Sequence, residues 1–311
     1  MPLFSVIIPT YNRAGLIGQT LDSLLAQQDF PRQELEIIVV DDGSTDNTPE
    51  VLKPYQQQHG VIVVRQLNRG EGAARNSGFQ YATGEYIANL DSDDLWFPWT
   101  ARTYREAIGR HNRPALVTGK QHEFRDPSEL ANVTAAPMNV EVFSDYYAAC
   151  DDWRFYGTSS FVIRREIAIA VGGFPGGWGV AEDADMGMKL GVAPGFVHFL
   201  APATFAYRIH GGNIMNNIGR VYAGISLLID HEKGGHYAGG PQRRRQRLQI
   251  ITRHVRACSI NCINRGSYEM AWDLYCRTFG WHLRLGRVRF LAAFPLRIIT
   301  RAFRGSNRSK P

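Results

Sequence analysis

Three carboxylates stand within four residues in Leu90-Asp91-Ser92-Asp93-Asp94, directly after the apolar run Tyr86-Ile87-Ala88. That run has the length and composition of a buried strand. In an extended segment Asp91 and Asp93 point the same way, because side chains alternate. Two carboxylates converging at a strand end repel one another unless a cation neutralises them. Oxygen-only ligands suit a hard divalent ion that also takes phosphate oxygens, so Mg²⁺ or Mn²⁺ is the expected partner. The competing reading is a polar turn or an aspartate helix cap ahead of Leu95-Trp96.

Four further motifs carry side chains able to do chemistry. Val39-Val40-Asp41-Asp42-Gly43-Ser44 places carboxylates at the tip of a second strand. An aspartate there can accept hydrogen bonds from a base N–H or a ribose hydroxyl, while Thr45-Asp46-Asn47 cap the helix that follows. The glycine-rich stretch Asn68 to Asn76 opens a helix and lets backbone approach a diphosphate, with Arg75 supplying charge. A dinucleotide fingerprint would need G-x-G-x-x-G after the first strand, and Pro9-Thr10-Tyr11-Asn12 stands in that place. Ala181-Glu182-Asp183-Ala184-Asp185 begins an amphipathic helix. The macrodipole favours acids in a first turn regardless of function, and one of them can also deprotonate an attacking hydroxyl. Tyr207-Arg208-Ile209-His210 ends a strand, and a lone histidine there is more often a surface or core residue than a ligand.

These motifs require a scaffold of alternating elements. Strands are expected at Ser5–Ile8, Glu36–Val40, Val61–Val64 and Tyr86–Leu90, with helices at 16–25, 49–58 and 72–81 between them. The alternation predicts an α/β fold with a doubly wound, mostly parallel sheet and its site at the strands' C-terminal ends. Further strands are expected at 115–119 and 159–164, and loops at 127–137 and 172–179. The latter holds five glycines around Phe174, Pro175 and Trp178. From residue 214 the pattern is helical: 214–229, 243–263 and 268–279.

The 311 residues, 44% hydrophobic and 21% charged, fit a globular chain of one large domain with an appendage, or two modest domains. The N-terminus lacks the basic and apolar regions of a signal peptide, and no apolar run approaches the roughly 20 residues that span a bilayer. Cys150, Cys258, Cys262 and Cys276 show no framework spacing, so reduced thiols in a cytoplasmic protein are expected. Cys258 and Cys262, one helical turn apart, read as small buried helix residues.

The net charge of +6 is unevenly placed. Residues 241–311 carry 16 basic and two acidic side chains, a net of +14, and residues 1–240 carry 19 basic and 27 acidic ones, a net of −8. The basic end therefore expects an anionic partner. Phe290, Phe294 and Ile298 share one helical face there and Arg297, Arg301 and Arg304 another, as in a helix lying in an anionic membrane interface. Pro295 is expected to divide it into two short helices. The alternative is packing on the acidic body. No nucleic-acid-binding motif accompanies the charge.

Taken in order, these motifs resemble the inverting glycosyltransferases of family 2, which have the GT-A type fold. The residues carrying the match are Ser5 to Arg13, Val40 to Asp46, Asn68-x-Gly70-x-x-x-Ala74-Arg75-Asn76-x-Gly78, Gly84 to Ile87, Leu90 to Asp94, Gly172-Gly173-Phe174 and Glu182-Asp183-x-Asp185. The similarity is dense over residues 4–99 and sparser to about 213. The resemblance implies a catalytic domain over 1–213, with a nucleotide-sugar half at 1–99 and an acceptor half at 100–213. A helical, basic extension at 214–311 lies beyond it.

The resemblance also implies roles. Pro9, Tyr11 and Asp42 would form the base pocket of a nucleotide diphosphate sugar, most readily a UDP-sugar. Arg75 would lie near the donor, Asp91 would face ribose and metal, and Asp93 with His210 would hold Mg²⁺ or Mn²⁺. Asp183 would be the general base, with Trp178 and Glu182 on the side of a glycan or lipid-linked glycan acceptor. One departure is Lys189, where the family often has arginine; lysine keeps the charge and loses the bidentate geometry. A nucleotidylyltransferase, or a non-catalytic glycan-binding member of the fold, are the alternatives. The first would carry a glycine- and arginine-rich loop after the first strand, and the second would have lost carboxylates.

Overall fold

The computed structural model of the chain describes residues 1–151, 157–176, 181–211 and 217–306, with side chains to residue 301. Trp178 lies outside the described residues. The chain forms two compact units. One comprises Met1–Ala149, Trp153–Trp178 and Glu182–Asn213; the other comprises Ile214–Pro311 with Cys150–Asp152 and Gly179–Ala181.

The first unit begins with β1 (Phe4–Thr10), α1 (Ile17–Leu25), β2 (Leu35–Asp41), α2 (Thr48–His59), β3 (Ile62–Arg65), α3 (Glu71–Phe79) and β4 (Tyr86–Asn89). It continues through β5 (Leu95–Trp96), α4 (Thr100–Arg110), β6 (Leu116–Thr118), β7 (Gln121–Phe124), β8 (Asn139–Phe143), β9 (Phe161–Arg164), α5 (Arg165–Ala170), α6 (Glu182–Leu190), β10 (Phe196–Ala201) and β11 (Phe205–Arg208).

Eight strands form the main sheet in the order β3-β2-β1-β4-β9-β6-β10-β8. The first four are parallel, and β10 is parallel to β6. The strands β9 and β8 run against their neighbours. Every residue of β1 is buried, as expected of a central strand covered on both faces. Val6, Ile8, Ile37 and Val39 pack with Ile17, Leu21 and Leu24 of α1 and Leu52 of α2.

Register decides where the motifs emerge. Thr10 pairs with Asp41 and Ile7 with Asn89, so β1, β2 and β4 end along one edge of the sheet. The strand order reverses at β1, where open α/β sheets bind ligands.

Of the second sheet, β5-β11-β7, only β11 matches an expected strand, the one ending at Tyr207-Arg208. Its antiparallel register pairs Leu95 with Ala206. Carried two residues further, that pairing brings Asp93 opposite Arg208. The two-residue β5 is too short to leave a periodic signal, yet it joins the acidic motif to the segment leading into His210.

The second unit contains α7 (Ile218–Lys233), α8 (Arg244–Asn264), α9 (Tyr268–Arg284) and α10 (Val288–Ser306). Arg247, in the first turn of α8, is buried in an ion pair with Glu232 at 2.7 Å. Cys258 and Cys262 stack within α8, buried, with sulfurs 4.0 Å apart. No described helix is long and apolar enough to cross a membrane.

Two expectations for the end of the chain are corrected. Pro295 lies inside a continuous α10 and does not divide it. A proline removes the hydrogen bond to the carbonyl four residues back, here that of Leu291. The Tyr275 hydroxyl donates to that carbonyl at 3.0 Å and replaces the missing donor. The Phe290, Phe294 and Ile298 face also does not lie open. Phe294 is buried and stacks on Tyr275 with ring centroids 4.7 Å apart, and Phe290 packs against His282 at 4.5 Å. The aromatic ring of α9 offers that face a better partner than solvent.

Tyr275→Phe should accordingly lower stability by about 1–3 kcal/mol, the usual cost of stranding a buried acceptor. Urea denaturation followed by helical circular dichroism measures it, and unchanged stability would remove this explanation of the unbroken helix.

Candidate active site

The edge formed by β1, β2 and β4 is tied together by short polar side chains. Asn12 sits at φ +53°, a left-handed conformation that asparagine tolerates. Its amide oxygen accepts from the Thr45 and Asp46 N–H groups at 2.8 and 3.3 Å, and its own N–H donates to Ser44 Oγ at 2.9 Å. Tyr11, just before it, is exposed at this edge. Pro9 is buried in β1 beyond Ile7, where pairing with β4 ends, so its missing N–H costs that ladder nothing.

Asp42 is buried and organises the next loop. Oδ1 accepts from Gln66 Nε2 at 2.6 Å and Arg69 N at 2.9 Å, and Oδ2 accepts from Gly70 N at 2.8 Å. A carboxylate offers about four acceptor positions, which leaves one direction for a ligand.

The acidic motif divides into three different environments. Asp91 accepts from Arg75 Nη2 at 2.6 Å and is partly exposed. Asp93 Oδ2 lies 2.9 Å from His210 Nε2 and 3.8 Å from Arg13 Nε. Asp94 is buried, accepting from Ser159 Oγ at 2.6 Å and Arg208 N at 3.0 Å. Ser159 Oγ in turn accepts from the Asp91 N–H at 3.0 Å. Burial, reinforced by the charges of Asp91 and Asp93, pushes the Asp94 carboxyl well above the ordinary aspartate range. Asp94 is therefore an internal tie that fixes the direction of its two neighbours.

Arg75 links this motif to the E-D segment. Its guanidinium, almost wholly buried, bonds Asp91 through Nη2 and Glu182 Oε2 through Nη1, both at 2.6 Å. Glu182 Oε1 accepts from Gly72 N at 3.1 Å. A Cβ on Gly72 would collide with the Pro175 carbonyl oxygen and lie 2.9 Å from Glu182 Oε1, so only glycine lets α3 approach this closely. Asn76 completes the junction by exchanging hydrogen bonds with the Phe174 backbone at 2.9 and 2.8 Å. The charge of Arg75 is thus shared between Asp91 and Glu182 inside the protein.

Burial pushes Glu182 up to about 7, with Arg75 pulling against that shift. Burial also raises Asp183 to about 6, opposed by the Ala184 N–H, which donates to Oδ1 at 2.7 Å. A carboxyl near 6 is deprotonated at neutral pH and still basic enough to take a proton. Lys189 pairs with Asp185 at 3.0 Å and donates to the Gly173 carbonyl at 3.0 Å, so its charge is used within the fold.

No group of three or more His, Cys, Asp or Glu side chains converges among the described residues. Asp93 and His210 nevertheless fit a divalent ion of the kind that binds through one or two protein ligands and takes the rest from phosphate and water. Sequence reasoning named Asp91, Asp93, Asp183, Glu182 and His210, which the structure gathers around Arg75 and Asp93. It missed Asp94, Ser159, Arg13 and Arg208. Arg13 and Asp94 stood within the motifs, whereas nothing local distinguishes Ser159.

The family model for glycosyl transferase family 2 matches residues 5–172. The chain belongs to that family. An uncharacterized glycosyltransferase of Nostoc sp. is 31% identical over 218 residues, covering 67% of this chain and 65% of that protein. The poly(ribitol-phosphate) beta-N-acetylglucosaminyltransferase TarS of Staphylococcus aureus is 39% identical over 119 residues, 38% of this chain and 21% of TarS. The family member described here spans less than two thirds of either relative. A structure of TarS 1–349 in complex with UDP-GlcNAc superposes with a TM-score of 0.59, at 21% identity over 92% of each chain. The mannosyltransferase PcManGT of Pyrobaculum calidifontis, in complex with GDP-Man and Mn²⁺, gives 0.56 at 21% identity, covering 99% of this chain and 88% of that one. The fold is GT-A type.

Proposed function

We propose that this family 2 member is a metal-dependent inverting glycosyltransferase. It moves a sugar from a nucleotide diphosphate sugar, a UDP-sugar, to a hydroxyl of a glycan or lipid-linked glycan. The observation that supports this most is the Arg75 clamp, which holds the acidic motif at Asp91 and the E-D segment at Glu182 to one guanidinium. The donor carboxylates and the candidate base Asp183 then share one site. The UDP-GlcNAc complex of TarS supports the choice of nucleotide.

In this reading Tyr11, Pro9 and Asp42 line the base pocket and Asp91 meets the ribose. Asp93 and His210 would hold Mg²⁺ or Mn²⁺, and Mn²⁺ is the ion present in the PcManGT complex. Bound there, the ion would offset charge on the diphosphate leaving group. Asp183 takes the acceptor proton, Glu182 flanks the acceptor, and Arg75 positions rather than reacts. Direct displacement needs one base and no carboxylate nucleophile. The presence of Asp91, Asp93 and Asp183 favours this over a non-catalytic role, and Pro9-Thr10-Tyr11-Asn12 after β1 disfavours a nucleotidylyltransferase.

Residues 1–213 would form the catalytic domain. Residues 214–311 would form a basic extension meeting an anionic membrane surface from the cytoplasmic side. A panel of nucleotide sugars tests the reading by nucleotide release with Mn²⁺ or with a chelator and no acceptor. Release from a UDP-sugar that the chelator stops is expected, and no release or binding across the panel would overturn it.

A further inference from the structure

The second unit carries an apolar surface that the proposed reaction does not use. Trp272, Cys276, Phe279 and Leu283 are all exposed on α9 and recur at three- and four-residue spacing, forming one stripe along the helix. Val288, Ala292, Leu296 and Ile299 form another on α10, again exposed. Trp272 is 46% exposed, Leu283 56%, Val288 61% and Leu296 64%. Six of the thirteen large apolar side chains exposed among the described residues fall between 272 and 299, so exposed apolar surface is concentrated on this helix pair.

Tyr275 holds the two helices together beneath it. Its ring packs on Trp272 at 5.2 Å and Phe279 at 5.7 Å within α9, and on Phe290 at 6.2 Å and Phe294 at 4.7 Å from α10. The turn between the helices is short, running from Leu285 to Arg287, and the stripes approach it from both sides through Leu283 and Val288. Arg284, Arg289, Arg297 and Arg301 are exposed along the same hairpin. The chain's last acid is Asp273, which is engaged by Tyr222 at 2.8 Å and by Arg277 at 3.4 Å. An apolar stripe bordered by guanidiniums and followed by no carboxylate complements a bilayer with anionic headgroups. Arginine also reaches headgroup phosphates while its stem lies along apolar surface.

We infer that the α9–α10 hairpin is a monotopic membrane anchor, inserting its two exposed stripes into one leaflet while Arg284, Arg289, Arg297 and Arg301 contact anionic headgroups. This rests on the membrane reading above and deepens it. The inserting face is that of Trp272, Phe279, Leu283, Val288, Leu296 and Ile299, whereas the Phe290, Phe294 and Ile298 face turns inward.

Co-sedimentation of the 311-residue protein with phosphatidylglycerol-containing and pure phosphatidylcholine vesicles tests it at two salt concentrations. Three variants accompany the wild type: Trp272→Ser with Phe279→Ser, Leu296→Ser with Ile299→Ser, and Arg289→Glu with Arg297→Glu and Arg301→Glu. A control changes the exposed Val142 and Val192 of the other unit to serine. Wild type and control should bind the anionic vesicles in a salt-sensitive way. Each hairpin variant should bind about tenfold more weakly or worse, with an unchanged melting temperature.

Two serine variants on different helices keep the test valid if one of them melts early. Wild-type binding matched by both serine variants would refute this face while sparing the membrane reading. No wild-type binding at low salt would refute both. If sedimentation velocity then shows a wild-type dimer that the serine variants dissociate, a second copy covers the stripes instead.

Discussion

Asparagine in place of Asp183 is expected to slow sugar transfer by about 10²–10⁴-fold, the usual scale for losing a general base, while leaving donor affinity unchanged. The amide keeps the shape of the side chain and its acceptor oxygen for the Ala184 N–H, and removes only the ability to take a proton. Burial raises the Asp183 carboxyl to about 6. Wild-type turnover should therefore rise with pH through about 6, as the carboxyl loses its proton, and the variant should lack that limb. A limb that survives in the variant would point to Glu182, which burial raises to about 7. Lost donor affinity with retained turnover would instead place Asp183 in the donor site.

Removing Arg75 should be the most damaging single change to the fold. Arg75→Ala leaves Glu182 buried without its cation and frees Asp91 from its direction. Breaking one half of a buried pair costs about 3–5 kcal/mol. The deficit should depend on pH with a definite sign. A carboxyl whose folded pKa is raised stabilises the fold at low pH and loses that contribution as pH rises through its folded value. Arg75 pulls Glu182 down, so without it the carboxyl rises beyond about 7. The gap between wild type and variant should then be widest above pH 8 and should narrow towards pH 5. Urea midpoints across that range measure it, and a gap independent of pH would mean Glu182 is not the group left stranded. Arg75→Lys, which keeps the charge and loses the two-sided geometry, should fall between.

How far sequence reached differs from residue to residue, for physical reasons. The ends of β1, β2 and β4 were legible because a buried strand followed by carboxylates is a local signal, and the parallel alternation placed all three ends at one edge. Asp91, Asp93 and Asp94 look alike in the chain. Their separate fates are decided by Arg75, His210 and the Ser159–Arg208 pair, up to 117 residues away. The bridge that Arg75 makes was hidden because sequence does not show that Asp91 and Glu182 converge on it. The meeting of Asp93 and His210 depends on β5, two residues long, and no periodicity reveals a strand so short. The reversed direction of β9 was hidden because a strand's pattern is the same read either way. Pro295 misled because the donor that replaces its missing N–H, the Tyr275 hydroxyl, belongs to another helix.

In the proposed reaction Asp93 would hold a divalent ion that carries the donor's diphosphate. Calorimetric titration of UDP into the 311-residue chain, with and without Mn²⁺, tests it most directly when wild type and Asp93→Ala are compared. Wild type should bind UDP strongly only with Mn²⁺, and Asp93→Ala should lose that metal-dependent binding while melting like the wild type. Equal UDP affinity in the two proteins, with and without the metal, would contradict the claim.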